Sequence, residues 1–261
     1  MSDERVLALE GVHNFRDYGG YAVSGGGHVR RGLLWRSGQH AEATDADLAK
    51  VAGLGLSGVF DLRSDKERRS HPCRRPPGFT ARIHFASDGP SGSSIPHVAA
   101  TTERRHRDAE STRAGMRQSY RSLPYRAPLN GAIRQLFVHL AAGDGPSLIN
   151  CMAGKDRTGI AAMAVQLALG VHRDDVLADY LLTNTAGDPA ARMAAGYRTV
   201  ATIVGELDEE SLKVMMGVEA EYLDIAFATI AERSGSIDNW LAEEFGADAA
   251  LRERLRGQLV A

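Results

Sequence analysis

One short stretch limits what this chain can fold into. Residues 148–159 read Leu-Ile-Asn-Cys-Met-Ala-Gly-Lys-Asp-Arg-Thr-Gly, an apolar run that gives way to a long apolar-periodic segment. Residues 146–149 have the length and bounding of a buried strand, and from Thr158 onward Ile160, Ala161, Ala164, Leu167 and Ala168 keep a helical period. Cys151 therefore stands where a strand ends and a helix begins.

A helix N-terminus offers unpaired backbone N–H groups and the positive end of the helix dipole, which together favour a bound anion. The same field favours a thiolate, and a thiolate is a ready nucleophile. Five residues separate Cys151 from Arg157, enough backbone to curl round a tetrahedral phosphoryl group while the guanidinium forks onto two of its oxygens. The spacing predicts phosphoryl transfer to sulfur. Met152, Ala153 and Gly154 supply the cradle, Gly154 and Gly159 where the backbone approaches the ligand or turns tightly. Thr158 offers a hydroxyl to the sulfur, and Lys155 a second cation at the rim. A nucleotide-binding Walker loop is excluded, because Gly154-Lys155 is followed by Asp156 and lacks the earlier glycine that pattern needs.

The run Cys-x-x-Gly-Lys-Asp-Arg-Thr-Gly at 151–159 resembles the signature loop of the bacterial tyrosine phosphatases related to the dual-specificity and phosphoinositide phosphatases. Asn14-Phe15-Arg16-Asp17-x-Gly19-Gly20, Arg36-Ser37-Gly38, the stretch from Asp179 through Asn184 and Glu221-Tyr222-Leu223 look like positions of the same family. The resemblance implies an α/β cysteine-phosphatase fold, with a central mostly parallel sheet flanked by helices, a largely helical C-terminal half and a lid-like insertion. It implies a metal-independent, cofactor-free protein-tyrosine phosphatase, of dual specificity or active on phosphoinositides. Cys151 would be the nucleophile, Arg157 would hold the phosphoryl oxygens, and Asp156 would be a further functional residue. The implied partners are a phosphotyrosine protein or a phosphoinositide, with inorganic phosphate as product. One position departs from the pattern: Asn150 stands where the family commonly has histidine, which predicts a shifted pH optimum.

The proton donor has two candidates. Residues 79–85 alternate as a strand and run into Ala86-Ser87-Asp88-Gly89-Pro90, and an acid at a strand end in such a loop suits general-acid work. Asp88 and Asp156 remain rivals at this stage.

Composition narrows the rest. With 261 residues, 43% of them apolar, the chain can bury a sizeable core, and it reads as a single phosphatase domain over 1–261. No apolar run nears the ~18–20 residues of a membrane span, and Met1-Ser2-Asp3-Glu4-Arg5 lacks the order of a signal peptide, so a cytoplasmic location is expected. Two cysteines, Cys73 and Cys151, make no disulfide framework; Cys73, between prolines and arginines, reads as incidental. A basic first half and an acidic second half share a net charge of −2. Few aromatics accompany the basic residues, which argues against nucleic acid and for steering of an anionic substrate. No two of the nine histidines fall at H-x-x-x-H spacing, which argues against zinc.

Along the chain, Thr44-Asp45-Ala46-Asp47 signals a capped helix ending near Gly53 to Gly55. Residues 59–63 read as a buried strand entering a charged turn at 64–68, with Asp61 and Arg63 as structural partners. Residues 91–111 are small and polar, and an insertion or mobile lid is expected over about 88–117. An amphipathic helix over 131–141, then strand, loop and helix, predicts a parallel sheet with ligand at the strand's carboxyl end. From about 172 to 261 the pattern is helical. Other chemistries remain as alternatives: a catalytically weak phosphate-binding module, a sulfurtransferase keeping a persulfide on Cys151, or an arsenate reductase, which would need resolving cysteines this chain lacks.

Overall fold

The computed structural model describes residues 4–87, 108–204 and 208–261. Among the described residues five strands, β1 (Arg16–Asp17), β2 (Leu34–Ser37), β3 (Gly58–Asp61), β4 (Arg82–His84) and β5 (Ser147–Asn150), form one sheet in the order β1-β2-β5-β3-β4. β5 lies at its centre, parallel to β2 on one side and to β3 on the other, and only β1 runs antiparallel. Asn150 is thus in register with both Ser37 and Asp61 at the carboxyl ends of three parallel strands. Cys151 leaves the sheet at that edge, where ligands bind open parallel sheets.

Successive strand residues face opposite ways, and the sheet is covered on both faces as parallel sheets require. Leu34, Phe60 and Ile149 enter the large core, which continues through the helical half. Trp35, Val59 and Leu148 face a smaller cluster with Val12, Phe15, Leu48 and Val51. Helix α1 (Asp45–Ala52) covers that second face and opens on the expected capping box between Thr44 and Asp47. The large core is built by α3 (Ala109–Ser122), α4 (Ala127–Ala142), α5 (Asp156–Leu169), α6 (Arg173–Leu181), α9 (Ala220–Ser234), α10 (Ile237–Phe245) and α11 (Ala249–Leu259). α5 is buried nearly all round, as the helix following the central strand must be. α7 (Pro189–Val204) packs on α8 (Glu209–Met216), which in turn packs on α3.

Three expectations change. The stretch 64–68 is no turn but the start of α2 (Asp65–Ser70): Ser64 and Glu67 form a reciprocal capping box, which a Ser-x-x-Glu pattern encodes. The strand expected over 79–85 pairs only at Arg82–His84, because β4 is the sheet edge and meets β3 alone. Of the insertion expected over 88–117, residues 88–107, Asp88 among them, lie outside the described residues; the remainder belongs to α3, which packs on α8 and α9. Among the described residues, no helix is long and apolar enough to cross a membrane.

Candidate active site

Cys151 follows the last residue of β5 directly and is buried. The loop from there to α5 is held by its carbonyl groups. Met152 O accepts from Gln39 N–H at 3.1 Å, and Gly154 O accepts from Asn14 Nδ2 at 2.6 Å and Arg36 Nη2 at 3.2 Å. Lys155 O accepts from Gly159 N–H at 2.6 Å. In a trans peptide the N–H points opposite to its C=O. Tying these three carbonyls down therefore turns the N–H groups of Ala153, Lys155 and Asp156 the other way, as an anion cradle needs. Gly154 makes the turn at φ +67°, and a Cβ there would lie 2.4 Å from the Ser37 carbonyl carbon. No side chain fits at that point.

Behind the loop lies a buried charge cluster. Asp179 accepts from Arg16 Nε at 3.2 Å on one oxygen and from Arg36 Nη1 at 2.5 Å on the other, while Arg16 Nη2 donates to Asp179 O at 2.8 Å. Arg16 also donates to Asn14 Oδ1, fixing the amide whose Nδ2 holds Gly154. Burial, then the like charge of Arg36, lowers the Arg16 pKa to about 10, which still leaves it charged at neutral pH. Two guanidinium groups on one carboxylate carry a net positive charge beneath the cradle. That charge favours an anion above it.

Arg157, in the first turn of α5, is clamped by Glu67 of α2: Nη1 donates to Oε2 at 2.6 Å and Nη2 to Oε1 at 2.8 Å, and Nη1 also reaches Leu62 O at 3.2 Å. Burial works against both charges. In Arg157 the Glu67 carboxylate outweighs it and raises the pKa further; in Glu67 the guanidinium, with the Ser64 N–H group, brings the pKa down to about 2. Arg63 is held by Asp61 through Nε and Nη2 at 2.9 and 2.7 Å. With Arg157, Ser64, Ala86 and Arg126 they line a cleft beside the loop.

Asp156, buried at the start of α5, accepts from Tyr120 Oη at 2.7 Å. Lys155 Nζ stands 3.6 Å from the same oxygen but donates to Met215 O and, at 2.7 Å, to Gly217 O, at the C-terminal end of α8. Such an end favours a cation. Burial lowers the Lys155 pKa, opposed by Asp156.

Comparison with known proteins identifies the family. A model of the tyrosine phosphatase family matches residues 7–261. The chain belongs to the tyrosine phosphatase family. It is 36% identical to a Cupriavidus necator protein named as a tyrosine-protein phosphatase, over 98% of this chain and 88% of the relative. It is 32% identical to the triple specificity protein phosphatase PtpB of Mycobacterium tuberculosis, over 98% and 99% of the two chains.

In this tyrosine phosphatase the loop residues singled out from sequence fall on one short segment, but their surroundings differ from expectation in three places. Lys155 is not a rim cation, since only 2% of it is exposed and its charge is taken up by α8 carbonyls. At Gly159 a Cβ would lie 3.1 Å from Cδ2 of the Tyr180 ring, so the glycine makes room for that ring. Thr158 Oγ1 is buried, with no hydrogen-bond partner among the described residues. Asn150 reaches Asp61 Oδ1 only at 3.5 Å, and its own Oδ1 has no hydrogen-bond partner among the described residues. Glu67 and Tyr120 were not anticipated. The Ser64-x-x-Glu67 pattern could have placed a carboxylate at a helix start; nothing in the sequence points Tyr120 at the loop.

Proposed function

We propose that this phosphatase is a cysteine-dependent phosphomonoester hydrolase acting first on phosphotyrosine proteins. The observation that carries the reading is the placement of Cys151 at the carboxyl end of the central strand, in a loop whose carbonyls are tied outward and whose Arg157 is oriented by Glu67. In the first step the Cys151 sulfur attacks phosphorus, the P–O bond to the leaving group breaks, and Asp156 gives the leaving oxygen a proton. In the second, water attacks the thiophosphate, returns a proton to Asp156, and inorganic phosphate departs with the thiolate restored. Arg157 and the loop N–H groups hold the charge on the equatorial oxygens throughout. Asp156 is preferred to Asp88 as proton donor because it is built into the loop itself. No metal enters this scheme, and a reducing cytoplasm suits a working thiolate.

Phosphoinositides are the second substrate class, in keeping with the resemblance of the 151–159 run to the loop of phosphatases related to the phosphoinositide phosphatases. The burial of Lys155 weighs against that class as the preferred one, because the cation that would meet a second phosphate is engaged by α8. The test is phosphate release from an aryl phosphate, phosphotyrosine and phosphoserine peptides and phosphoinositide vesicles, without added metal. Fastest turnover of phosphotyrosine is expected. Faster turnover of phosphoinositides would reverse the substrate order, and binding of phosphate without turnover of any substrate would make the protein a phosphate-binding module.

A further inference from the structure

Asp156 is joined to a chain of tyrosines that the two-step scheme leaves unused. Tyr180 Oη donates to Tyr120 Oη at 2.7 Å, and Tyr120 Oη donates to Asp156 Oδ1 at 2.7 Å. Both rings are buried and fixed by packing. Tyr120 stacks on Tyr222 with centroids 5.4 Å apart and meets Tyr180 edge-on at 6.2 Å. Gly159, next to the loop, leaves the space the Tyr180 ring occupies. Burial, reinforced by the charge of Asp156, raises the Tyr120 pKa well above its ordinary value, so the phenol stays a neutral donor.

We propose that Tyr120 is a positioning residue for the Asp156 proton donor, its hydroxyl polarised by Tyr180 and holding the carboxyl group through Oδ1. The inference rests on Asp156 acting as proton donor. Hydrogen bonds in a chain strengthen one another, and here both donate toward the carboxyl group. Lys155 Nζ stands 3.6 Å from the same Oδ1 while donating to the carbonyl oxygens of Met215 and Gly217. In the first step the Asp156 carboxyl proton passes to the leaving oxygen; in the second the Asp156 carboxylate takes one from water. Tyr120 itself gains and loses none.

The experiment measures kcat/KM, across pH, for aryl phosphates of graded leaving-group basicity with wild type, Tyr120→Phe, Asp156→Asn and the double variant. Loss of the donor should matter most for the most basic leaving groups. Tyr120→Phe is expected to slow the most basic by about tenfold, as removal of one charge-assisted hydrogen bond does, while the least basic changes by less than about twofold. The double variant should match Asp156→Asn alone. Equal losses on every substrate, or additive losses in the double variant, would make Tyr120 merely structural while leaving Asp156 the donor. A leaving-group-independent Asp156→Asn would remove the donor reading, and the role of Tyr120 with it. Should Tyr120→Phe fold poorly, Tyr180→Phe is expected to show the same leaving-group pattern at smaller size, and its absence would overturn the proposal.

Discussion

Glu67 and Arg157 meet through two parallel hydrogen bonds, at 2.6 and 2.8 Å, while the same carboxylate accepts the Ser64 N–H at 2.7 Å. One side chain therefore closes the first turn of α2 and aims the guanidinium of the loop. Glu67→Gln preserves the shape and removes the charge, leaving Arg157 a buried cation with a neutral partner. A charge-assisted hydrogen bond contributes about 1.5–3 kcal/mol, so kcat/KM is expected to fall roughly 10- to 100-fold. Steady-state kinetics on an aryl phosphate checks this, and an unchanged value would remove Glu67 from the account.

The same pair sets a pH dependence of stability. Glu67 titrates at about 2 in the folded protein against an ordinary 4.5, because Arg157 and Ser64 outweigh its burial. A depressed carboxyl pKa gives stability that is complete above pH 4.5 and lost as pH falls toward 2. His40 acts in a higher window: burial, then Arg75 and Arg63, push it down to about 3 from 6.5. The neutral ring stabilises fully above pH 6.5, and that share is lost as pH falls toward 3. Urea midpoints measured downward from neutral pH should therefore decline from pH 6.5 in wild type, less so in His40→Asn, and fall less steeply than wild type below pH 4.5 in Glu67→Gln. Parallel curves for all three proteins would contradict the assignment.

Asp179 holds Arg16 and Arg36 together, all three buried. Asp179→Asn leaves two guanidinium groups without a carboxylate, and removing one member of a buried ion pair costs about 3–5 kcal/mol. Equilibrium denaturation should show a loss of that order. Phosphate binding should weaken too, since Asn14 and Arg36 carry Gly154 O. A loss under about 1 kcal/mol would place the pair in the range typical of exposed ion pairs.

Lys155→Met tests whether the loop lysine serves substrate or fold. Its ammonium is bonded to the carbonyl oxygens of Met215 and Gly217, so the variant is expected to speed amide exchange in Glu209–Met216 and to leave the ratio of phosphoinositide to phosphotyrosine turnover nearly unchanged. Unaltered exchange with selective loss of phosphoinositide turnover would return Lys155 to the rim.

Much of this architecture is written locally. Residues 146–149 show a strand by length and bounding and the stretch from Thr158 a helix by period, close to the observed Ser147–Asn150 and Asp156–Leu169, and Thr44 marks a helix start where the structure has a cap. What stayed hidden is what long-range pairing decides. Glu67 meets Arg157 across 90 residues and Tyr120 meets Asp156 across 36, and no spacing rule connects such positions. Lys155 misled for the same reason. Its charge suggested the rim, and only the return of α8 to the loop supplies the carbonyls that bury it. The family-like residues Asn14, Arg16, Arg36 and Asp179 were visible as motifs, but their shared task of holding Gly154 O needs the folded chain.

The central claim is that Cys151 carries the phosphoryl group. The most direct measurement mixes wild type and Cys151→Ser with an excess of aryl phosphate, follows the first turnovers by rapid quench, and weighs the quenched protein by mass spectrometry. Wild type is expected to release a burst of phenol and to carry a phosphoryl group on Cys151, while Cys151→Ser binds phosphate but loses turnover by several orders of magnitude. Turnover by Cys151→Ser close to that of wild type, with no phosphoryl group on Cys151 of the quenched wild type, would contradict the account.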